Sequence, residues 1–298
     1  MSIHSIRPAP AMGITRRDAL RLAVAGGIGL GAAGVLPAFA ADAPLKGNLK
    51  QAVARWTFPQ LSVAQLCATV KDIGFAAIDL VGPEHWPTLK AHGVYSSMCN
   101  GAELGLTKGF AGREFHDQLV ERYTRHIDLV ADAGYRNLIC FSGNRNGMDP
   151  HDGMANAEAG LKRVLGYAEK RGVVLVMELL NSRVDHRDYL CDHSAWGVEL
   201  CQRLGSDNFG LLYDIYHMQI MEGDIIATIG KHHACFKHYH TAGVPGRNEI
   251  GDQQELNYPA ICRAIRDTGF KGYLAQEFMP AAPDPVASLR EAIRLCDV

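Results

Sequence analysis

The sequence lacks several features that would assign it to a class directly. It has no Gly-x-Gly-x-x-Gly after its first predicted strand and no Cys-x-x-Cys pair, although it contains 31 glycines and eight cysteines. The first absence excludes a dinucleotide-binding fold, and the second leaves a thiolate zinc site without support. A basic excess is also lacking, because residues 1–40 contribute +3 to a net charge of −2 and leave the remainder at −5. An acidic body of this kind argues against a nucleic-acid partner.

What the sequence contains is typical of a globular protein. Hydrophobic residues make up 47% of the chain, charged residues 21% and aromatic residues 8%, which predicts a large buried core. A domain of this size needs no covalent cross-links, and the cysteines are widely spaced. We therefore predict small buried thiols and no disulfide at the eight cysteines, Cys67, Cys99, Cys140, Cys191, Cys201, Cys235, Cys262 and Cys296.

The first 40 residues have the pattern of a signal peptide. Arg16 and Arg17 precede the apolar stretch Leu22–Leu36, and a small-x-small cleavage site ends at Ala40. Paired arginines before a Gly-rich, moderately apolar stretch resemble a twin-arginine export signal. A retained membrane anchor is the alternative, but fifteen residues at about 1.5 Å each fall short of the roughly 30 Å hydrocarbon layer. We therefore expect export by the twin-arginine machinery and a periplasmic catalytic domain of residues 41–298.

From residue 48 onward, short apolar runs alternate with longer amphipathic stretches, which is the pattern of βα units. Eight strands are predicted, at Ala52–Phe58, Ala76–Val81, Tyr95–Cys99, Asn137–Ser142, Val173–Leu180, Phe209–Ile215, Ala234–Tyr239 and Tyr273–Phe278. The predicted helices between and after them are Val63–Ile73, Arg113–Ala133, Ala155–Arg171, Asp192–Leu204, Gly223–Lys231, Tyr258–Thr268 and Pro285–Leu295.

This alternation predicts a closed parallel barrel. The continuous apolar run Val173–Met177 is typical of a strand that is covered on both faces, as in a parallel sheet. Eight such strands, each followed by a helix, favour a single α/β domain of the (β/α)8 TIM-barrel type over an open doubly wound sheet. Helices are expected to stop at Gly74, Gly134, Gly172 and Gly269, since glycine adopts the left-handed conformation that often follows a helix.

Chemistry in a TIM barrel takes place at the carboxyl ends of the strands, and four predicted strands finish there in ligand-type side chains: Glu178, Asp214, His240 and Glu277. Each acid alone could be a paired structural carboxylate. Three buried carboxylates and one imidazole converging on one barrel end are most simply compensated by one divalent cation. This donor set favours Mn²⁺ or Mg²⁺, with Co²⁺ and Zn²⁺ left open.

Several neighbouring residues are weaker candidates. His238 shares a strand face with His240 but lies deeper, which favours a hydrogen-bonding role. His217 can reach the site only if the chain turns after Asp214, and Arg247 lies in a turn-rich loop, where it is either a surface residue or a cation for an anionic or hydroxylated substrate. The remaining histidines, His186 among them, are predicted to be structural or exposed. Trp56 and Phe58 fit either a pocket wall or the core.

At these residues the sequence resembles the hydroxypyruvate isomerase family, within the xylose isomerase-like barrel superfamily. The stretch Tyr213–Gly223 is the most specific, and it is supported by Met177-Glu178, Val244–Gly251 and Gln276-Glu277-Phe278. The resemblance implies that Glu178, Asp214, His240 and Glu277 hold the metal, that Glu178 and Glu277 also move protons, and that His217 and Arg247 bind substrate oxygens. Hydroxypyruvate isomerases usually have Gln at the position of His240, whereas ketose epimerases have His.

The expected function is a metal-dependent isomerase of a small hydroxy-carbonyl substrate, resembling hydroxypyruvate, tartronate semialdehyde or a sugar. Two glutamates would transfer the proton through a metal-stabilised enediolate. The alternatives are a ketose 3-epimerase or an inosose-type dehydratase of the same superfamily, a phosphodiesterase of the endonuclease IV type, and a sugar-binding barrel without chemistry. The sequence leaves a homo-oligomer open.

Overall fold

The structure is a computed structural model that describes residues 44–298. Within this range eight strands alternate with helices along the chain. The strands are Lys50–Ala54 (β1), Ala77–Asp79 (β2), Tyr95–Ser96 (β3), Asn137–Cys140 (β4), Val174–Glu178 (β5), Phe209–Asp214 (β6), Phe236–Thr241 (β7) and Tyr273–Gln276 (β8). The α-helices are Val63–Ile73 (α1), Trp86–Ala91 (α2), His116–Asp132 (α3), Pro150–Arg171 (α4), Ser194–Leu204 (α5), Ile215–Met221 (α6), Ile225–His232 (α7), Tyr258–Asp267 (α8) and Pro285–Leu295 (α9).

The strands form one parallel sheet in the order β3-β2-β1-β8-β7-β6-β5-β4. Cys99 closes the sheet between β3 and β4, because its N–H donates to the Asn137 carbonyl at 2.9 Å and its carbonyl accepts from the Ile139 N–H at 3.0 Å. The prediction of a single TIM barrel is therefore confirmed.

Local signals at the helix ends explain where several elements begin and end. Ser62 and Gln65 form a capping box at the start of α1, which satisfies two backbone donors. Gly74 and Gly172 adopt positive φ angles of 106° and 69° at the ends of α1 and α4. Because a side chain is strained in that conformation, glycine stops these helices where the sequence predicts.

Several element boundaries differ from the prediction; β1, for example, covers Lys50–Ala54 and not Ala52–Phe58, and α4 begins at Pro150 and not at Ala155. Strand β2 ends at Asp79, two residues earlier than predicted, and Leu80 follows with a φ of 55°. Helices α2 and α6 were not expected, and α6 starts directly after Asp214, whose side chain accepts a hydrogen bond from the His217 N–H. Strand β7 begins at Phe236 because His233–Cys235 forms a 3-10 turn.

The main core lies between the strands and the surrounding helices. A separate small layer, formed by Ala52, Ala77 and Ala275, packs with Tyr95 and Tyr273. The eight cysteines carry free thiols. None of the helices in residues 44–298 combines the length and apolar character needed to cross a bilayer. The predicted signal peptide and its boundary at residue 40 lie outside the described residues.

Candidate active site

The four side chains predicted at strand ends lie together at the carboxyl end of the barrel. Glu178 ends β5, Asp214 ends β6, His240 lies near the end of β7, and Glu277 follows β8. The His240 Nδ1 atom is 3.0 Å from Glu277 Oε2, 3.4 Å from Glu178 Oε1 and 3.8 Å from Asp214 Oδ2. All four side chains are buried. The barrel thus brings together residues from four successive strands.

A fourth carboxylate, Asp79, belongs to this group, although the sequence pattern does not single it out. His240 Nε2 donates to Asp79 Oδ2 at 2.8 Å, His238 Nε2 lies 3.0 Å from Asp79 Oδ1, and Ser97 Oγ donates to the same oxygen. The predicted strand runs to Val81 and so places Asp79 in its interior, whereas β2 ends at Asp79. The sequence signal that could have identified Asp79 was a lone acidic residue within an apolar run.

The charged groups shift one another's pKa values strongly. Burial raises the pKa of Asp214 to about 8, and burial also raises that of Glu178; the Glu277 carboxylate adds to both shifts. Burial opposes ionisation of Glu277, but His240 and Arg247 hold its pKa well below the ordinary value. Burial likewise opposes a charge on His240, and Glu277 and Asp79 nevertheless hold its pKa well above the ordinary value.

The donor set fits a divalent cation. Glu178, Asp214, His240 and Glu277 each offer one ligand atom, and these four atoms lie within 4.8 Å of one another. His240 Nε2 is engaged by Asp79, while the buried Nδ1 has no hydrogen-bond partner of suitable geometry in the described part of the chain. Nδ1 is therefore the nitrogen left for a metal, and the carboxylate on Nε2 is the partner that metal-bound histidines commonly have. Three carboxylate oxygens and one imidazole match Mn²⁺ or Mg²⁺.

Arg247 lies at the edge of this group and not on the surface. Its Nη2 atom is 2.5 Å from Glu277 Oε2 and 3.8 Å from Asp214 Oδ2, and its side chain is only 12% exposed. The guanidinium carbon lies 5.1 Å from the ring centroid of Trp56 and 5.3 Å from that of Tyr216. Trp56 Nε1 donates to Glu277 Oε1 at 2.8 Å, so Trp56 walls the site. Arg247 and Trp56 together fix the position of the Glu277 carboxylate.

His217 reaches the site because α6 begins at once after β6. Its Nε2 atom lies 3.7 Å from Asp214 Oδ2, and its Nδ1 accepts a hydrogen bond from Asn181 Nδ2 at 2.6 Å. Burial lowers the pKa of His217 well below the ordinary value, and Arg247 lowers it further. The ring is therefore neutral, with its proton on Nε2, on the side of the carboxylates.

A cavity of about 450 Å³ opens beside the four ligand-type residues and is lined by Glu178, Arg247 and Glu277. His186 also lines it, with its ring 5.2 Å from the ring of His217. His186 is predicted to be structural or exposed, and the loop after β5 places it at the wall of this cavity. Apolar residues also line the cavity, among them Leu80, Leu106, Ile139, Phe141 and Leu180.

Comparison with known proteins places the chain among isomerase-like barrels. The 2-oxo-tetronate isomerase of Cupriavidus necator is 34% identical over 115 residues, which are 39% of this chain and 44% of the relative. The hydroxypyruvate isomerase of Escherichia coli K12 is 26% identical over 170 residues, which are 56% of this chain and 63% of the relative. Each alignment thus spans less than two thirds of the relative's length.

A solved structure, an AP endonuclease of family 2 from Brucella melitensis, superposes with a TM-score of 0.73 at 22% identity and covers 81% of this chain and 97% of its own. At this identity the likeness shows a shared fold alone. The family model described as "Xylose isomerase-like TIM barrel" matches residues 67–297, a range that includes all four ligand-type residues. The chain therefore belongs to the xylose isomerase-like TIM barrel family.

Proposed function

We propose that the protein is a metal-dependent isomerase, which moves a hydrogen between neighbouring carbons of a small hydroxy-carbonyl compound. The observation that carries the proposal is the pair Glu178 and Glu277. Both lie within 3.4 Å of His240 Nδ1, yet their pKa values are displaced in opposite directions. Two carboxyl groups whose surroundings separate their pKa values are suited to acid and base roles. The names of the Cupriavidus and Escherichia relatives support the same class of reaction.

The two glutamates have distinct tasks in this proposal. Glu277, ionised and held by Trp56 and Arg247, takes a proton from the carbon next to the carbonyl. The electron pair of the broken C–H bond stays on the substrate. Glu178, whose pKa burial raises, returns a proton to the adjacent carbon. The hydroxyl on the carbon that loses its proton passes its own proton to the former carbonyl oxygen, so the carbonyl moves by one carbon and no external oxidant or reductant is needed.

Other residues bind the metal and the substrate. Glu178, Asp214, His240 and Glu277 would hold the cation, which when bound would polarise the substrate carbonyl. Arg247 lines the cavity, and the neutral His217 lies 3.7 Å from Asp214 Oδ2; both would donate hydrogen bonds to substrate oxygens.

The cavity supports a second candidate, a ketose 3-epimerase. Its volume of about 450 Å³ lies within the usual range of small-molecule sites, so it can hold a sugar of five or six carbons as well as a three-carbon acid. The apolar lining residues suit the carbon face of such a sugar. In this variant the second glutamate returns the proton to the opposite face of the same carbon.

The test is isotope exchange with the Mg²⁺-loaded protein in heavy water, followed by NMR over a panel of hydroxypyruvate, tartronate semialdehyde, ketoses and inososes. Metal-dependent deuterium uptake next to the carbonyl together with a new isomer would support the isomerase. A product inverted at one carbon would identify the epimerase, and loss of water would identify a dehydratase instead. Absence of exchange in every compound, with metal bound, would contradict the proposal.

The variant Glu277→Gln tests the two-glutamate scheme. It should lower turnover by about 10²–10⁴-fold, because a positioned carboxylate contributes a factor of this size to proton transfer. Metal content should be measured on the same sample, since Glu277 is also a proposed ligand. Glu121→Gln, an exposed change on α3, is the control and should leave turnover unchanged. Full activity of Glu277→Gln would show that the scheme is wrong.

A further inference from the structure

A second cavity lies at the amino end of the barrel, opposite the candidate active site. Its volume is about 550 Å³, and it opens where the strands begin. Lys50, Asn137, Val174 and Tyr273, the first residues of β1, β4, β5 and β8, all line it. We call it the basic cavity because of the charges described next.

Four cationic side chains line the basic cavity: Lys50, Arg136, Lys237 and Lys271. Asp207 is the one acidic residue among its described lining residues. No ion pair within 4.0 Å connects any of the four cations to a carboxylate in residues 44–298. The cavity therefore concentrates positive charge in a chain whose overall charge is negative.

The backbone is shaped to bring Lys237 into this cavity. The register between β6 and β7 shifts at Leu211 and Leu212, so that Phe236 and His238, but not Lys237, pair with them. Such a bulge redirects a side chain that strict alternation would point away. The Lys237 side chain then crosses Gly210, where a Cβ would collide with Lys237 Cγ. Only a glycine leaves room for this lysine.

Aromatic rings and small side chains complete the cavity. Tyr95 and Tyr273 are stacked with their centroids 5.8 Å apart, and Lys50 Nζ lies 5.5 Å from the Tyr273 centroid. The alanine layer described above packs against the same two tyrosines, so the interior of the barrel is sparsely filled at this end. The two tyrosines thus form an aromatic wall of the basic cavity.

Stability alone does not account for this cluster. The amino end of a TIM barrel ordinarily serves stability, whereas unpaired like charges around one cavity repel one another and oppose folding. A bound anion removes that cost and gains several charge-assisted hydrogen bonds. We propose that the basic cavity binds a small polyanion, a compound that carries two or more phosphate or carboxylate groups.

The test measures binding of inorganic pyrophosphate and of citrate to the metal-free full-length protein by isothermal titration calorimetry at constant ionic strength. One-site binding is expected, and the two probes distinguish a phosphate from a carboxylate ligand. The double variant Arg136→Gln with Lys271→Gln should weaken binding by at least about fivefold for each cation removed. Arg125→Gln removes one exposed cation from the middle of α3 and should leave binding unchanged.

Two results would overturn the proposal. One is that neither probe binds, or that both bind the double variant as tightly as the original chain. The other is a lower melting temperature of the double variant without probe, because that would assign the cations a structural role. The expected outcome is that the double variant binds the probes more weakly and that its melting temperature at low salt is unchanged or higher than that of the original chain.

Discussion

His240 is held from two directions, and this determines which of its nitrogens is available. Its Nε2 donates to Asp79 Oδ2, while its Nδ1 faces Glu178, Asp214 and Glu277. Asp79 is itself fixed by Ser97 and contacts His238. Burial opposes its ionisation, but His238 and His240 hold its pKa well below the ordinary value. Asp79 thus orients His240 as an ionised carboxylate, without touching the cavity.

Removing this charge should weaken the metal site more than the fold. We expect Asp79→Asn to lower the affinity for Mn²⁺ by about 10–100-fold, the usual effect of losing a carboxylate behind a ligating histidine. Calorimetric titration with Mn²⁺ measures this directly, and saturating metal should restore much of the activity. Asp72→Asn, an exposed change on α1, is the matched control. Unchanged Mn²⁺ affinity in Asp79→Asn would refute the orienting role.

Asp214 makes metal binding depend on pH. Burial and then Glu277 raise its pKa to about 8, so the metal-free site retains a proton that a bound cation must displace. His240, whose pKa lies well above the ordinary value, must also lose a proton from Nδ1, so the affinity for Mn²⁺ should rise by at least about tenfold for each pH unit below about pH 8. Titrations in two buffers of different ionisation enthalpy count the protons released. Affinity that stays constant between about pH 6 and pH 8 would contradict the assignment.

The order of elements was predictable because its signals are local. Apolar strand runs, amphipathic helices and glycine stops each occupy a few residues, and the carboxyl ends of parallel strands must meet at one end of a barrel. The role of Asp79 was not predicted, because it depends on whether β2 ends at Asp79 or continues for two more residues to Val81. The loop after β5 places His186 at the candidate active site, and the bulge between β6 and β7 places Lys237 in the basic cavity. Neither feature produces a recognisable pattern in the surrounding sequence.

Two glycines, one in open space and one packed against backbone, test how the elements are packed. Gly166 lies exposed within α4 with open space around it, so Gly166→Ala should stabilise the protein by about 0.5–1 kcal/mol through better helix propensity. Gly109 lies against the backbone of Phe141, Ser142 and Gly143, in the loop between β3 and α3. Gly109→Ala should destabilise the protein by about 1–3 kcal/mol, since that backbone cannot yield easily.

Urea unfolding of both glycine variants, followed by circular dichroism, gives the two free-energy changes with the original chain as reference. The midpoint should rise for Gly166→Ala and fall for Gly109→Ala. If Gly109→Ala had the same midpoint as the original chain, the loop that contains Gly109 would be free to move away from residues 141–143. The cavity wall beside this loop would then be less rigid than the structure indicates.

At the scale of the whole molecule, the candidate metal site exists only in the folded barrel. Its proposed ligands come from β5 to β8 and are spread from Glu178 to Glu277, so no short segment of the unfolded chain can assemble it. A twin-arginine signal directs export of folded proteins. We therefore propose that residues 1–40 export the chain after the barrel has folded and bound its metal.

This proposal predicts a strict dependence on the arginine pair. In a bacterial host with an intact twin-arginine system, the chain should reach the periplasm and begin at Ala41, as N-terminal mass spectrometry of the fractionated protein would show. Replacing both Arg16 and Arg17 by Lys should hold the uncleaved chain in the cytoplasm, whereas Arg7→Lys, outside the pair, should not. Periplasmic delivery of the double variant would show that the arginine pair is not required, and delivery in a host that lacks the twin-arginine system would show that the chain is exported unfolded. The metal would then have to bind in the periplasm, because the ligands from β5 to β8 are assembled only after folding.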